Sequence, residues 1–128
     1  MNKILENIFF AETHEWVEFI SDTAVRVGIS FFAQHELGDL VFINLPEVGD
    51  TVTAGVAFGD VESVKAVSDI LSPVTGIVSA INEDLLNSPE KINKDPYGSW
   101  FIEVEGITGK SALMSPAEYE VFCEKEAH

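Results

Sequence analysis

Short apolar runs rich in valine and isoleucine recur along this chain, bounded by turn-forming residues. That punctuation constrains the fold most: it is the pattern of a β sandwich or barrel, not of a helical bundle. Strands are expected at Trp16 to Ile20, Ala24 to Ile29, Val41 to Leu45, Val56 to Glu62, Ala66 to Leu71, Gly76 to Ile81 and Trp100 to Glu105. Turns fall at Ser21-Asp22, at Pro46 to Asp50 and at Ser72 to Gly76, where proline fixes φ and glycine or aspartate tolerates tight geometry. Two helices interrupt the pattern. Ser30 to Leu37 has a serine cap and a Gly38 stop, and residues 115–126 open with Ser115-Pro116-Ala117-Glu118, a full capping box. Tyr119, Phe122 and Cys123 are placed on the buried face of this C-terminal helix. Between Asn82 and Lys94 a single helical turn near Leu85 is expected, with loop elsewhere. No linker divides the chain, so residues 1–128 read as a single domain with residues 1–10 as an N-terminal extension.

Charge narrows the function. Twenty-two acids against 7 bases give a net charge of −15, which excludes nucleic-acid binding and disfavours anionic membrane surfaces. Such a chain is expected to be a monomer that meets basic patches on its partners. Cys123 is the lone cysteine, and with His14, His35 and His128 scattered there is no disulfide framework and no zinc pattern. The opening Met1 to Phe10 is too short in its apolar run for a signal peptide or membrane span and lacks the arginines of a transit peptide. A cytoplasmic bacterial protein is expected, or a mitochondrial matrix protein if the chain is a processed eukaryotic one.

Lys65 is the only lysine or arginine between Arg26 and Lys91. It lies in Gly59-Asp60-Val61-Glu62-Ser63-Val64-Lys65-Ala66-Val67-Ser68-Asp69, whose β-branched residues argue for two strands and a turn with the lysine at its exposed tip. Two readings stand side by side: a modification site, or an ordinary solvated lysine. A faint duplication, with Gly49 to Gly55 before the lysine and Ser72 to Val78 after it, puts Lys65 between two strand-turn-strand units. Trp16, Trp100 and Phe58 read as packing residues, and His14 as a structural hydrogen-bonding group, because no nucleophile accompanies it.

The run Phe58 to Asp69, followed by Ser72-Pro73 and Gly76, resembles the lipoyl-attachment segment of the glycine cleavage H-protein family. Further landmarks of that family occur in order: His14-Glu15-Trp16-Val17, Gly28-Ile29-Ser30, Ala33-Gln34, Leu37 to Phe42, Leu45 to Gly49, Ile92 to Gly98 and Tyr119 to Phe122. The resemblance covers essentially everything after Phe10 and favours the modification reading. It departs in two places: Tyr97-Gly98-Ser99-Trp100 is one residue shorter than the usual pattern, and Phe10 stands where a tyrosine is common.

The resemblance implies a mainly β barrel-sandwich hybrid with short helices and a C-terminal helix. It implies lipoate amide-linked to Lys65 within an attachment motif of Glu62, Ser63, Val64 and Ala66, and a non-catalytic carrier. Glu62 and Ser63 either shape the hairpin or are read directly by the lipoylating enzyme. Glu15 and Asp69 match acids that the family keeps near the loaded arm. Implied partners are a pyridoxal-phosphate glycine decarboxylase (P protein), a tetrahydrofolate-dependent aminomethyltransferase (T protein), dihydrolipoyl dehydrogenase (L protein), and a lipoyl or octanoyl transferase or lipoate ligase. Two other carrier functions compete: relay of lipoyl or octanoyl groups to 2-oxo acid dehydrogenase domains, and biotin carriage. Val64 and Ala66, where biotin carriers have methionines, argue against the second.

Overall fold

A computed structural model describes residues 7–126 of the chain. The strands are β1 (Ile8–Phe10), β2 (Glu15–Ser21), β3 (Ala24–Ile29), β4 (Leu40–Asn44), β5 (Thr51–Val52), β6 (Ala57–Ser63), β7 (Val67–Leu71), β8 (Val74–Ile81) and β9 (Ile102–Lys110). The helices are α1 (Phe31–Leu37), α2 (Asp84–Asn87), α3 (Lys91–Lys94) and α4 (Pro116–Glu126). One sheet runs in the order β1-β2-β3-β9-β8-β5 and a smaller one in the order β4-β6-β7. All named strand pairs are antiparallel. The two sheets enclose one core, the barrel-sandwich arrangement that the resemblance implies.

The core follows from strand alternation. Val25, Val27 and Ile29 of β3 face inward with Val78 of β8, Val104 of β9 and, from the smaller sheet, Ile43, Val61 and Ile70. β2 breaks the alternation, because Glu15, Trp16 and Val17 are all buried. Both faces of this strand are covered. Trp16 belongs to a second cluster with Ile8, Phe10 and Tyr119, roofed by α4. Its indole lies against Gly28 on β3, so closely that an added Cβ would come within 2.6 Å of the ring, and its Nε1–H donates to the Pro96 carbonyl at 3.1 Å.

Several expectations need correction. Ile8–Phe10, read as the end of an extension, is strand β1, held by pairing Phe10 with Trp16 and by a bridge to Met114. Residues 1–6 lie outside the described residues. Thr51–Val52 form an additional short strand against β8. Between Asn82 and Lys94 the expected single turn near Leu85 is α2, but the remainder is not all loop: α3 follows a turn at Pro89-Glu90, in which the Lys91 N–H donates to the Ser88 carbonyl. β9 begins at Ile102 instead of Trp100, and Trp100 serves as a platform for the Arg26 guanidinium, 5.1 Å from its ring centroid. α4 begins as expected: the Ser115 hydroxyl accepts from the Glu118 N–H (3.2 Å), and the Glu118 carboxylate accepts from the Ser115 N–H (2.8 Å).

α3 sets the position of the segment that connects α1 to β4. The Asn93 side chain donates to Gln34 Oε1 and to the Gly38 carbonyl, each at 2.9 Å, and accepts from the Leu40 N–H at 2.9 Å. Asn93→Ala leaves these groups without that partner in a half-buried place, for an expected loss on the order of 2 kcal/mol. Amide hydrogen exchange should accelerate at Leu40, and at Val64 across the adjoining turn, well before it does in β3. Unchanged exchange at both amides would show that the clamp carries no weight.

Candidate functional site

Lys65 stands at the tip of the β6–β7 hairpin and is exposed. Tight hairpins usually need glycine or asparagine at φ > 0, yet neither Val64 nor Lys65 takes a positive φ. Ser63 closes the turn instead. Its hydroxyl accepts from the N–H groups of Lys65 (3.1 Å) and Ala66 (3.0 Å), while its own N–H donates to the Ala66 carbonyl at 2.8 Å. Ser63 therefore has a structural task at the hairpin. The tip is also moored sideways, since the Val64 N–H donates to the Asp39 carbonyl at 3.1 Å.

Asp39 belongs to the segment that Asn93 clamps, so the base of the lysine is connected to α3 through two sets of hydrogen bonds. Gly38 completes the seat. Its φ of 84° is left-handed, and an added Cβ would sit 3.0 Å from Lys65 Cε. A side chain there would be both strained and in the path of the lysine.

The lysine's surroundings suit acylation. Among the described residues Lys65 makes no ion pair, and its Cε and Nζ lie over Gly38, 3.0 and 3.6 Å from where a Cβ would stand. Val64 and Val67 flank it, 71% and 66% exposed, and across the small sheet Phe42 lies in register with Glu62, which pairs with Val67. An apolar border of this kind can be covered by an enzyme that modifies or uses the tip.

Beside the hairpin runs a groove of about 430 Å³ lined by Thr13, His14, Phe32, Leu37 and Ser68 together with the carboxylates Glu36 and Glu126. His14 stacks on Phe32 with centroids 4.7 Å apart, and its ring nitrogens lie 2.6 Å from the Tyr119 hydroxyl and 2.8 Å from Glu126. That is a structural role, as expected for this histidine. Glu15 and Asp69 occupy different settings. Asp69 is exposed on β7, on the opposite strand face from Ser68. Glu15 is only 2% exposed: its Oε1 accepts from the Thr13 hydroxyl and its Oε2 from the Leu71 N–H at 3.0 Å. Burial pushes its carboxyl above the ordinary value of 4.5, with the hydrogen bonds from Thr13, Leu71 and its own backbone N–H opposing. Thr13, exposed, thus stands between Glu15 and the groove.

Sequence reasoning brought forward the hairpin residues but not Gly38, Asp39, Thr13, Phe32 or Asn93 as parts of this site. Gly38 and Asn93 lay within the family landmarks, which carried no indication that the two touch. Among the described residues no group of histidine, cysteine or carboxylate side chains could hold a metal ion, and no helix is long and apolar enough to cross a membrane.

Comparison with known proteins agrees with this geometry. A family model described as Glycine cleavage H-protein matches residues 8–126. The chain is 55% identical over 124 residues to the glycine cleavage system H protein of Lachnoclostridium phytofermentans, covering 97% of this chain and 98% of that one. It is 51% identical over 121 residues to the protein of that name from Treponema denticola, covering 94% and 98%. A crystal structure of a glycine cleavage system H protein from Mycobacterium marinum superposes with a TM-score of 0.87 at 37% identity, covering 98% of this chain and all of the other. With the exposed lysine on its serine-closed hairpin, these matches show that the chain belongs to the glycine cleavage H-protein family.

Proposed function

We propose that this protein is the lipoyl-bearing shuttle of a glycine cleavage system, with lipoate amide-linked to Lys65 Nζ. The carrying observation is the lysine itself: exposed, without an ion pair among the described residues, and fixed at the tip of a hairpin in a chain of this family. When bound, the lipoyl group supplies a redox-active dithiolane that takes up the aminomethyl group of glycine. The chain's own residues anchor and aim the arm. Ser63 and Asp39 hold its root, and Gly38 leaves room beneath it.

The partners in this reading are the pyridoxal-phosphate decarboxylase that loads the arm, the tetrahydrofolate-dependent aminomethyltransferase that unloads it, and dihydrolipoyl dehydrogenase, which reoxidises it. A lipoyl or octanoyl transferase or a lipoate ligase installs the cofactor. Tethering keeps the arm at roughly millimolar effective concentration near a docked active site. The chain is a carrier and not a catalyst. Its bacterial relatives support a cytoplasmic setting, and its charge of −15 supports a monomer.

Intact mass and peptide mapping of the protein from its own host test the reading. One lipoyl or octanoyl adduct confined to Lys65 is expected, and Lys65→Arg should abolish both the adduct and glycine-dependent CO2 exchange. Biotin at Lys65, or a chain that a lipoate ligase leaves unmodified, would overturn it.

We also infer that the loaded arm rests in the groove beside the hairpin, where Thr13 links the lining to Glu15, while Asp69 adds negative charge from the opposite face of β7. Carboxylates favour a protonated amine on the arm. Glu15→Gln combined with Asp69→Asn should shorten the lifetime of the aminomethyl-loaded protein severalfold, followed by mass spectrometry; an unaltered lifetime counts against the idea.

Glu15 has a second consequence, for stability. Its folded-state pKa lies above its unfolded one, so its contribution to stability is present below pH 4.5 and is lost as pH rises through the folded value. Glu15→Gln removes that loss while Gln can still accept from Leu71 and donate to Thr13. Urea unfolding should therefore show the variant gaining on the wild type as pH increases from below 4.5 toward neutrality; a constant difference would mean that Glu15 does not titrate as described.

A further inference from the structure

A second concavity lies on the face formed by α1 and α4, apart from the groove assigned to the arm. It is a trough of about 580 Å³. Its floor is aromatic: Phe10 and Tyr119 stack with centroids 4.1 Å apart, and Tyr97 meets Phe10 edge-on at 6.1 Å. Phe31 stands on its α1 side with 55% of its surface in water, stacked with His35 at a centroid distance of 5.8 Å. The rim is acidic, with Glu36 from α1 and Glu120 and Glu124 from α4. The last two are one helical turn apart, a like-charge spacing that weakens a helix on its own and is relieved by a cation beside it.

We propose that this trough is the docking site for a segment of a partner enzyme that presents an apolar side chain flanked by lysine or arginine. The proposal rests on the carrier reading and adds where such an enzyme takes hold. An apolar or aromatic anchor fits the floor, and the stem of an arginine or lysine can lie along Phe31 with its charge over the ring. The carboxylates then meet the flanking charges and steer the encounter. A second copy of this chain is a poor occupant, because it brings a net charge of −15 and the same acidic rim. Continuity supplies the remaining reason. Phe32 and Glu36 line both this trough and the groove that reaches Leu37 and Ser68 beside the hairpin, so an enzyme anchored here holds its active-site entrance next to the arm.

The test uses the full-length lipoylated protein, its loading confirmed by mass, as substrate for purified glycine decarboxylase, aminomethyltransferase and dihydrolipoyl dehydrogenase. Phe31→Ser removes the exposed ring, and Glu120→Lys with Glu124→Lys reverses the α4 rim. Both lie at exposed positions, and retained folding is checked by circular dichroism. With at least one of the three enzymes, each variant should raise KM for the carrier about tenfold or more, the effect falling on KM and not on kcat. The charge-reversed variant should also lose most of the salt dependence of kcat/KM with that enzyme. Wild-type KM values for both variants with all three enzymes would overturn the proposal. So would a concentration-dependent dimer in sedimentation that Phe31→Ser abolishes, since the occupant would then be a second copy. A wild-type lipoylated protein that no enzyme accepts would sink the carrier reading itself, and the docking site with it.

Discussion

The position of the lysine depends on one amide side chain. Asn93 places both of its donor hydrogens, on Gln34 Oε1 and the Gly38 carbonyl, and its oxygen on the Leu40 N–H. The partners dictate the orientation of the amide, because a backbone carbonyl and a backbone N–H cannot exchange roles. Gly38, held in its left-handed conformation, ends α1 and turns the chain into β4, and Asp39 offers its carbonyl to the hairpin tip. The mooring thus runs from α3 through a single turn to Val64, next to Lys65. A long flexible arm needs a fixed root if its reach is to be predictable, and this network provides one without any contact to the arm itself.

A second polar junction ties the helical side of the molecule together. The Tyr119 hydroxyl lies 2.6 Å from both His14 Nδ1 and Ser30 Oγ, and the Ser30 hydroxyl also caps α1 by accepting from the Ala33 N–H at 3.1 Å. One phenol therefore joins α4 to the β1–β2 turn and to the start of α1. Burial raises its pKa far above the ordinary tyrosine value, so the group stays neutral and keeps its proton for hydrogen bonding. α4 needs this junction because its other inward contacts are few: Tyr119 is its one buried residue, with Phe122 and Cys123 partly covered. The same scarcity leaves the aromatic trough open between α4 and α1.

What was legible in the sequence divides along physical lines. β3 was read with its observed bounds, since alternating valines, a turn before the strand and the Ser30 helix cap after it are local signals. α4 was found through its capping box and not through apolar periodicity, which so sparsely buried a helix lacks. β1 escaped because three residues with one exposed phenylalanine carry no local pattern and become a strand only through pairing with β2. Lys65 stood out by isolation within the chain, whereas the partners of Asn93 lie more than fifty residues away in sequence, beyond any local rule. Glu15 was identified by resemblance, but its burial was not, because a strand covered on both faces breaks the alternation from which exposure is inferred.

Charge distribution gives the fold its directionality. The lysine is the lone base in a long acidic stretch, and in the proposed carrier acylation removes its charge, so the lipoylated protein is more negative than the unmodified one. The groove beside the hairpin mixes Thr13, Ser68, His14 and apolar side chains with the carboxylates Glu36 and Glu126, so a protonated amine on a loaded arm would meet acids there. In the proposed carrier, seating in so open and mixed a groove is weak enough for the arm to leave when an enzyme offers a better site, while long-range attraction between acidic carrier and basic partner accelerates the encounter and is screened by salt. Rigidity at the root and looseness along the arm are therefore complementary. The hairpin fixes where the cargo starts, and the protein's field governs which partners approach it.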